Sequence, residues 1–199
     1  MVADVCRALA YAHGRTDAEG RPLGLVHRDV SPHNVVVTFT GEVKLVDFGI
    51  ARLMLDSDDP RAGAVIGGGK YAYMSLEQAR HEPLYHRTDI YSAGIVLYEL
   101  LVGHRLFEHP SPAEKLRRVR NAVVPHPEEE GVPIDDELWA VLKKALHRDR
   151  EQRHGTAADL EEDLRAWLFA SRKRVERTHL ADALRAAFPQ EASRGSEDL

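Results

Sequence analysis

Residues 26–34 read Val-His-Arg-Asp-Val-Ser-Pro-His-Asn, and Asp47 stands thirteen positions after Asn34, just past the apolar run Val43-Lys44-Leu45-Val46. Two β-branched segments lie between them, Val35 to Thr38 and Glu42 to Val46, and Thr40-Gly41 can turn from one into the other. Such a hairpin brings Asn34 and Asp47 together at one end, close in sequence to Asp29. Two carboxylates and an amide gathered in this way suit phosphoryl transfer. That reaction needs a carboxylate beside the attacking hydroxyl and ligands for the metal ions on the phosphates.

Taken alone, His27-Arg28-Asp29 reads as a solvated loop, and Asp47-Phe48-Gly49 as a common turn tripeptide. Together, in this order and at hairpin spacing, they resemble the catalytic core of the eukaryotic-like protein kinases, here the bacterial serine/threonine kinases. The resemblance implies that Asp29 orients the attacking hydroxyl and accepts its proton. It implies that Asn34 and Asp47 hold two magnesium ions and that Val36 floors the adenine of ATP. His27 and Phe48 are expected to stack into an apolar spine, with Arg28 and Gly49 completing the two motifs.

The same resemblance sets the extent of the fold. Family members carry a small lobe with a glycine-rich phosphate loop, a strand lysine and a helix glutamate, and the roughly 25 residues before His27 hold none of these. They are too few for a five-stranded sheet and a helix. The expected fold is therefore α+β and mostly helical: a kinase-like large lobe over residues 1–170, with a small β-hairpin at the catalytic loop. Two functions follow. In the first, the chain is the catalytic lobe of a serine/threonine kinase that moves the γ-phosphoryl of Mg-ATP to a protein hydroxyl, and it is inactive as an isolated chain. In the second, it is a pseudokinase-like module or truncated product that binds a small lobe or a regulatory protein.

Composition agrees with a globular domain. The chain has 199 residues, 43% apolar and 30% charged, with a net charge of −5 that argues against a nucleic-acid surface. Cys6 is the only cysteine, which excludes an internal disulfide and fits a reducing, cytoplasmic setting. No basic-then-apolar leader opens the chain, and no apolar run approaches the ~20 residues of a membrane span.

Several elements must hold the motifs in place. Val2, Val5, Cys6 and Leu9 form a helical stripe that Gly14 ends, and residues 15–24 read as a polar loop. Residues 47–77 correspond to the activation segment. Within it Ser57, among acidic neighbours, reads as part of a solvated loop rather than a phosphosite. Gly67-Gly68-Gly69-Lys70 fails as a phosphate loop because Ala64 and Tyr71 break the pattern. Tyr73 to Glu77 resembles the end of that segment, with Leu76 in place of the usual proline, a loss expected to loosen the turn.

The run Asp89 to Gly103 is apolar nearly all round and should form a buried central helix. By resemblance Asp89 caps backbone amides of the catalytic loop, a role compatible with an ordinary helix N-cap. Arg153 matches the family arginine that pairs with Glu77. His81 and His86, five apart around Pro83, are not a zinc pair. A short helix is expected from Pro112 to Val119, a stripe at Leu138, Val141, Leu142, Ala145 and Leu146, and a Thr156-capped helix carrying Leu160, Leu164, Trp167 and Leu168. Residues 171–188 read as a helical extension on Leu180, Leu184, Ala187 and Phe188, stopped by Pro189, and residues 189–199 as a disordered tail.

One departure from the family pattern concerns catalysis. Where relatives carry lysine two residues after the catalytic aspartate and threonine seven before the segment's glutamate, this chain has Ser31 and Lys70. The exchange implies that Lys70 supplies the ammonium beside the transferred phosphoryl from the opposite wall.

Overall fold

The computed structural model describes residues 1–48, 70–172 and 175–194. The N-terminal stripe folds as helix α1, Val2–His13, which buries Val2, Val5, Cys6 and Leu9 and closes at Gly14. A polar loop follows, pinned by an isolated bridge between Thr16 and Pro22. The β-branched segments form strands β1, Val35–Val37, and β2, Val43–Leu45, which pair antiparallel with Val36 opposite Lys44. Thr38 donates its amide to the Glu42 carbonyl and Val46 donates to Asn34, so pairing runs beyond the strands at both ends. Gly41 turns at φ 79°, where a β-carbon is disfavoured.

Ser75 starts the single-turn helix α2, Leu76–Ala79, through a capping box with Gln78. The turn that lacks the expected proline is thus closed by side chains, and Leu76 is buried. The central helix α3 spans Arg87–Val102 and ends at the left-handed Gly103. It buries Ile90, Tyr91, Ala93, Ile95, Val96 and Tyr98, as its sequence requires, but its last turn emerges, and Leu100 is 52% exposed. Gly94 lets it approach its neighbour closely: a β-carbon there would lie 3.0 Å from Leu146.

Around α3 pack α1, α5 (Asp136–Ala145) and α6 (Ala157–Ala170), while α4 (Pro112–Asn121) packs on α2 and on the turn Lys70–Tyr73. Asp135 caps α5 by accepting the Leu138 amide, and Thr156 caps α6 in a box with Asp159. In α6, Leu160 and Leu164 are buried while Trp167 and Leu168 are only half-buried. None of the described helices is long and apolar enough to cross a membrane.

The C-terminal extension departs from expectation at two points. Helix α7, Arg177–Ala187, buries Ala181, while Leu180 and Leu184 are half-buried and Ala187 and Phe188 exposed. Pro189 does stop α7, yet Pro189–Arg194 forms a further helix, α8, where the sequence suggested a disordered tail. Proline lacks only an amide that a first helical position leaves unpaired anyway, so it starts a helix as readily as it ends one.

Candidate active site

The loop over residues 26–34 is held by one buried carboxylate. Asp89 lies in the first turn of α3 with no exposed surface, and it does not cap its own helix, whose N-cap is His86. Its Oδ2 accepts the His27 amide at 2.7 Å and its Oδ1 the Arg28 amide at 2.8 Å. His13, at the end of α1, donates a third hydrogen bond from Nε2 to Oδ2 at 2.8 Å. These contacts hold Arg28 in a left-handed conformation, φ 66°, which a side chain rarely adopts without such support.

His27 is buried behind the loop. Its Nδ1 accepts the Asp29 amide at 3.3 Å, so Nε2 carries the proton and donates to the Val46 carbonyl at 3.0 Å. Its ring packs against Phe48 with centroids 4.5 Å apart and the planes tilted by 42°. One imidazole therefore ties the residue bearing the first carboxylate to the strand leading to the second. Asp47 then turns at φ 55° and is exposed.

Asn34 closes the constellation from the end of the turn Pro32–Asn34. Its Nδ2 donates to the Asp29 carbonyl at 2.7 Å and to Asp29 Oδ2 at 3.1 Å. Those two bonds fix the amide's orientation and leave Oδ1 as an oxygen donor. Ser31 is buried and precedes this turn. Val36 is 44% exposed on β1. Gly49, Ser57 and the triple glycine fall outside the described residues, as does the Lys70 side chain; its backbone opens the turn Lys70–Tyr73.

A second buried carboxylate sits at the end of the segment. Glu77 Oε1 and Oε2 accept Arg153 Nη1 and Nη2 at 2.7 and 3.0 Å, and Thr88 donates to Oε1 at 2.9 Å. Arg153 also donates to the carbonyls of His147 and Arg87 and lies over the Tyr91 ring at 4.6 Å. Burial pushes the Glu77 carboxyl up, but the Arg153 hydrogen bonds and charge outweigh it and hold the group below its ordinary value.

Two contributors were not singled out from the sequence. His13 carries no signal beyond its place in the last turn of a helix. Gln78 does carry one, because Ser75-Leu76-Glu77-Gln78 matches the capping-box pattern. Its Nε2 also donates to the Arg28 carbonyl at 2.8 Å.

The protein kinase domain model matches residues 1–164, and the chain belongs to that family. It is 41% identical over 167 residues to the serine/threonine-protein kinase PknB of Mycobacterium leprae, across 82% of this chain and 25% of that protein. It is 37% identical over 168 residues to the tyrosine-protein kinase MasK of Myxococcus xanthus, across 84% of this chain and 26% of that one. The probable serine/threonine-protein kinase PknB of Bifidobacterium longum is 35% identical over 165 residues, across 82% and 23%. The chain thus spans about a quarter of the length of these curated relatives.

Proposed function

We propose that residues 1–170 form the large lobe of a magnesium- and ATP-dependent kinase that phosphorylates serine or threonine hydroxyls of proteins. The observation that carries this reading is the double hydrogen bond from Asn34 Nδ2 to the backbone and carboxylate of Asp29. It sets Asp29 beside a residue whose remaining oxygen, with the exposed carboxylate of Asp47, offers the hard donors that magnesium prefers. Bound magnesium would neutralise charge on the nucleotide's phosphates.

Asp29 then orients the substrate hydroxyl and takes its proton on a carboxylate oxygen. Asn34 keeps that carboxylate from rotating away, and the His27 imidazole fixes its backbone from behind. Ser31 and Lys70 supply the hydroxyl and ammonium on either side of the transferred group. The preference for serine and threonine rests on Ser31-Pro32 following Asp29 and on the PknB relatives.

A cleft of about 640 Å³ between α1 and the hairpin, lined by Tyr11, Leu25, Leu45 and Phe48 and by the charged Arg15, Lys44 and Arg177, supports the lobe assignment. Tyr11 is 70% exposed there, and this apolar face is where a small lobe would seat. The test is transfer of labelled phosphate to serine-, threonine- and tyrosine-containing peptides. The 199 residues alone should give negligible turnover. Joined downstream of a small lobe from a PknB relative, they should transfer to serine or threonine at about 1 per second or faster. No transfer from the joined protein, or transfer to tyrosine only, would contradict the proposal.

A further inference from the structure

Arg28 is left-handed, and it immediately precedes Asp29. Its own amide is held by Asp89 Oδ1. The following peptide group, from the Arg28 carbonyl to the Asp29 amide, sets the direction in which Asp29 leaves the chain. That group is gripped at both poles: Gln78 Nε2 donates to the carbonyl at 2.8 Å, and the amide donates to His27 Nδ1.

Gln78 is itself held rigidly. Its Oε1 accepts the Ser75 amide at 3.0 Å, which leaves the NH₂ group facing Arg28. Its backbone amide donates to Ser75 Oγ, and its neighbour Glu77 is locked by Arg153 and Thr88. One side-chain amide therefore spans from the end of the 47–77 segment to the peptide before Asp29. A helix cap needs only the oxygen of that amide, since a glutamate caps in the same way. The nitrogen is spent on the catalytic loop.

We infer that Gln78 is a positioning residue: it clamps the Arg28–Asp29 peptide and so couples the anchored end of the segment to the orientation of Asp29. Its effect on transfer rests on the kinase reading; the clamp does not. In the 199-residue chain, Gln78→Glu keeps an acceptor for the Ser75 amide and loses the donor to Arg28. Amide exchange at His27, Arg28 and Asp29 should then quicken by up to about tenfold, the range of one ordinary hydrogen bond. Exchange at Ser75 to Ala79 should stay unchanged.

Ser75→Ala provides the control, because it weakens the cap and leaves the Gln78 nitrogen in place. If Gln78→Glu is silent while Ser75→Ala and Gln78→Ala act alike, Gln78 is a helix cap only and the inference fails. In the protein joined to a small lobe, Gln78→Glu should lower kcat by up to about tenfold with KM for ATP and peptide unchanged, since only Asp29 is displaced. Equal losses in kcat and affinity would overturn the clamp as a positioning device. If the exchange difference appears but the unsubstituted joined protein transfers nothing, the kinase reading falls and the clamp stands.

Discussion

Glu77 and Asp89 are both buried carboxylates at the base of α3, and they are satisfied in opposite ways. Glu77 meets a charge: two guanidinium nitrogens and a hydroxyl, with Arg153 bonded in turn to two carbonyls and stacked on Tyr91. Asp89 meets mainly backbone: the amides of His27 and Arg28, joined by the His13 imidazole. A guanidinium fork joins the short helix α2 to the extended residue that follows the turn Arg150–Gln152. Backbone amides on a carboxylate instead support a loop that no ladder could hold, including the left-handed Arg28. The first carboxylate therefore governs whether the domain stays together, and the second governs the shape of the loop over residues 26–34.

The largest effect should come from breaking the charge pair. Arg153→Ala leaves Glu77 buried without its partner and should cost about 3–5 kcal/mol. At this chain length that is a drop of roughly 10 °C in Tm. Arg150→Ala removes a stacking contact on Tyr85, a bond to the Pro83 carbonyl and an ion pair with Glu151, all near the surface, and should move Tm several-fold less. Equal shifts for the two would remove the distinction between the carboxylates.

Asp89→Asn should follow, at about 1–3 kcal/mol, because an amide nitrogen would face one of the two loop amides. Its mark is local: faster exchange at His27 and Arg28, with the Glu77 pair intact. Uniform loosening across both sites would show that they are one unit.

These contrasts also explain what could be read in advance. Asp29, Asn34 and Asp47 stand out in sequence because the chemistry proposed for them demands particular residue types at hairpin spacing. The α3 core and the α6 cap follow from a run that is apolar nearly all round and from a threonine. The exposed end of α3 could not be read, because Leu100 is as apolar as its buried neighbours and only the packing ends there. His13 was silent because one histidine at a helix end has no pattern. Ala181 rather than Leu180 is buried in α7 because the rotation of a short helix is set by what it meets. Gly41 shows this contact: a β-carbon there would clash with the Arg177 carbonyl.

That contact yields a smaller prediction, on a region remote from both carboxylates. Gly41→Ala combines a disfavoured φ with this clash and should cost roughly 1–3 kcal/mol, displacing α7. Shortening the chain after residue 172 should relieve the clash part of the cost. A penalty unchanged by the shortening would mean that backbone strain alone is responsible.

The smallest effects should appear with pH. Glu77 has a folded-state pKa below its unfolded value, so its contribution is full above about 4.5 and is lost as pH falls through the folded value. Urea midpoints of the Glu77→Gln variant should lack this acid-side loss. His154 is buried, and burial chiefly, with Lys144 nearby, lowers its pKa below 6.5. The unfolded chain binds that proton more readily, so stability should decline as pH drops from 6.5 toward the lowered folded value. His154→Gln should flatten that part of the curve, and an identical curve would exclude the group.

The central claim is that Asp29, held by Asn34 and by a loop that Asp89 shapes, takes the proton of a substrate hydroxyl. Its most direct test is single-turnover phosphate transfer by these residues joined to a relative's small lobe, comparing Asp29 with Asp29→Asn. Asparagine preserves size and the Asn34 contact to the backbone but cannot accept the proton. The transfer rate should fall by about a hundredfold or more, with ATP affinity retained. Transfer by Asp29→Asn at the rate of the unsubstituted protein would contradict it.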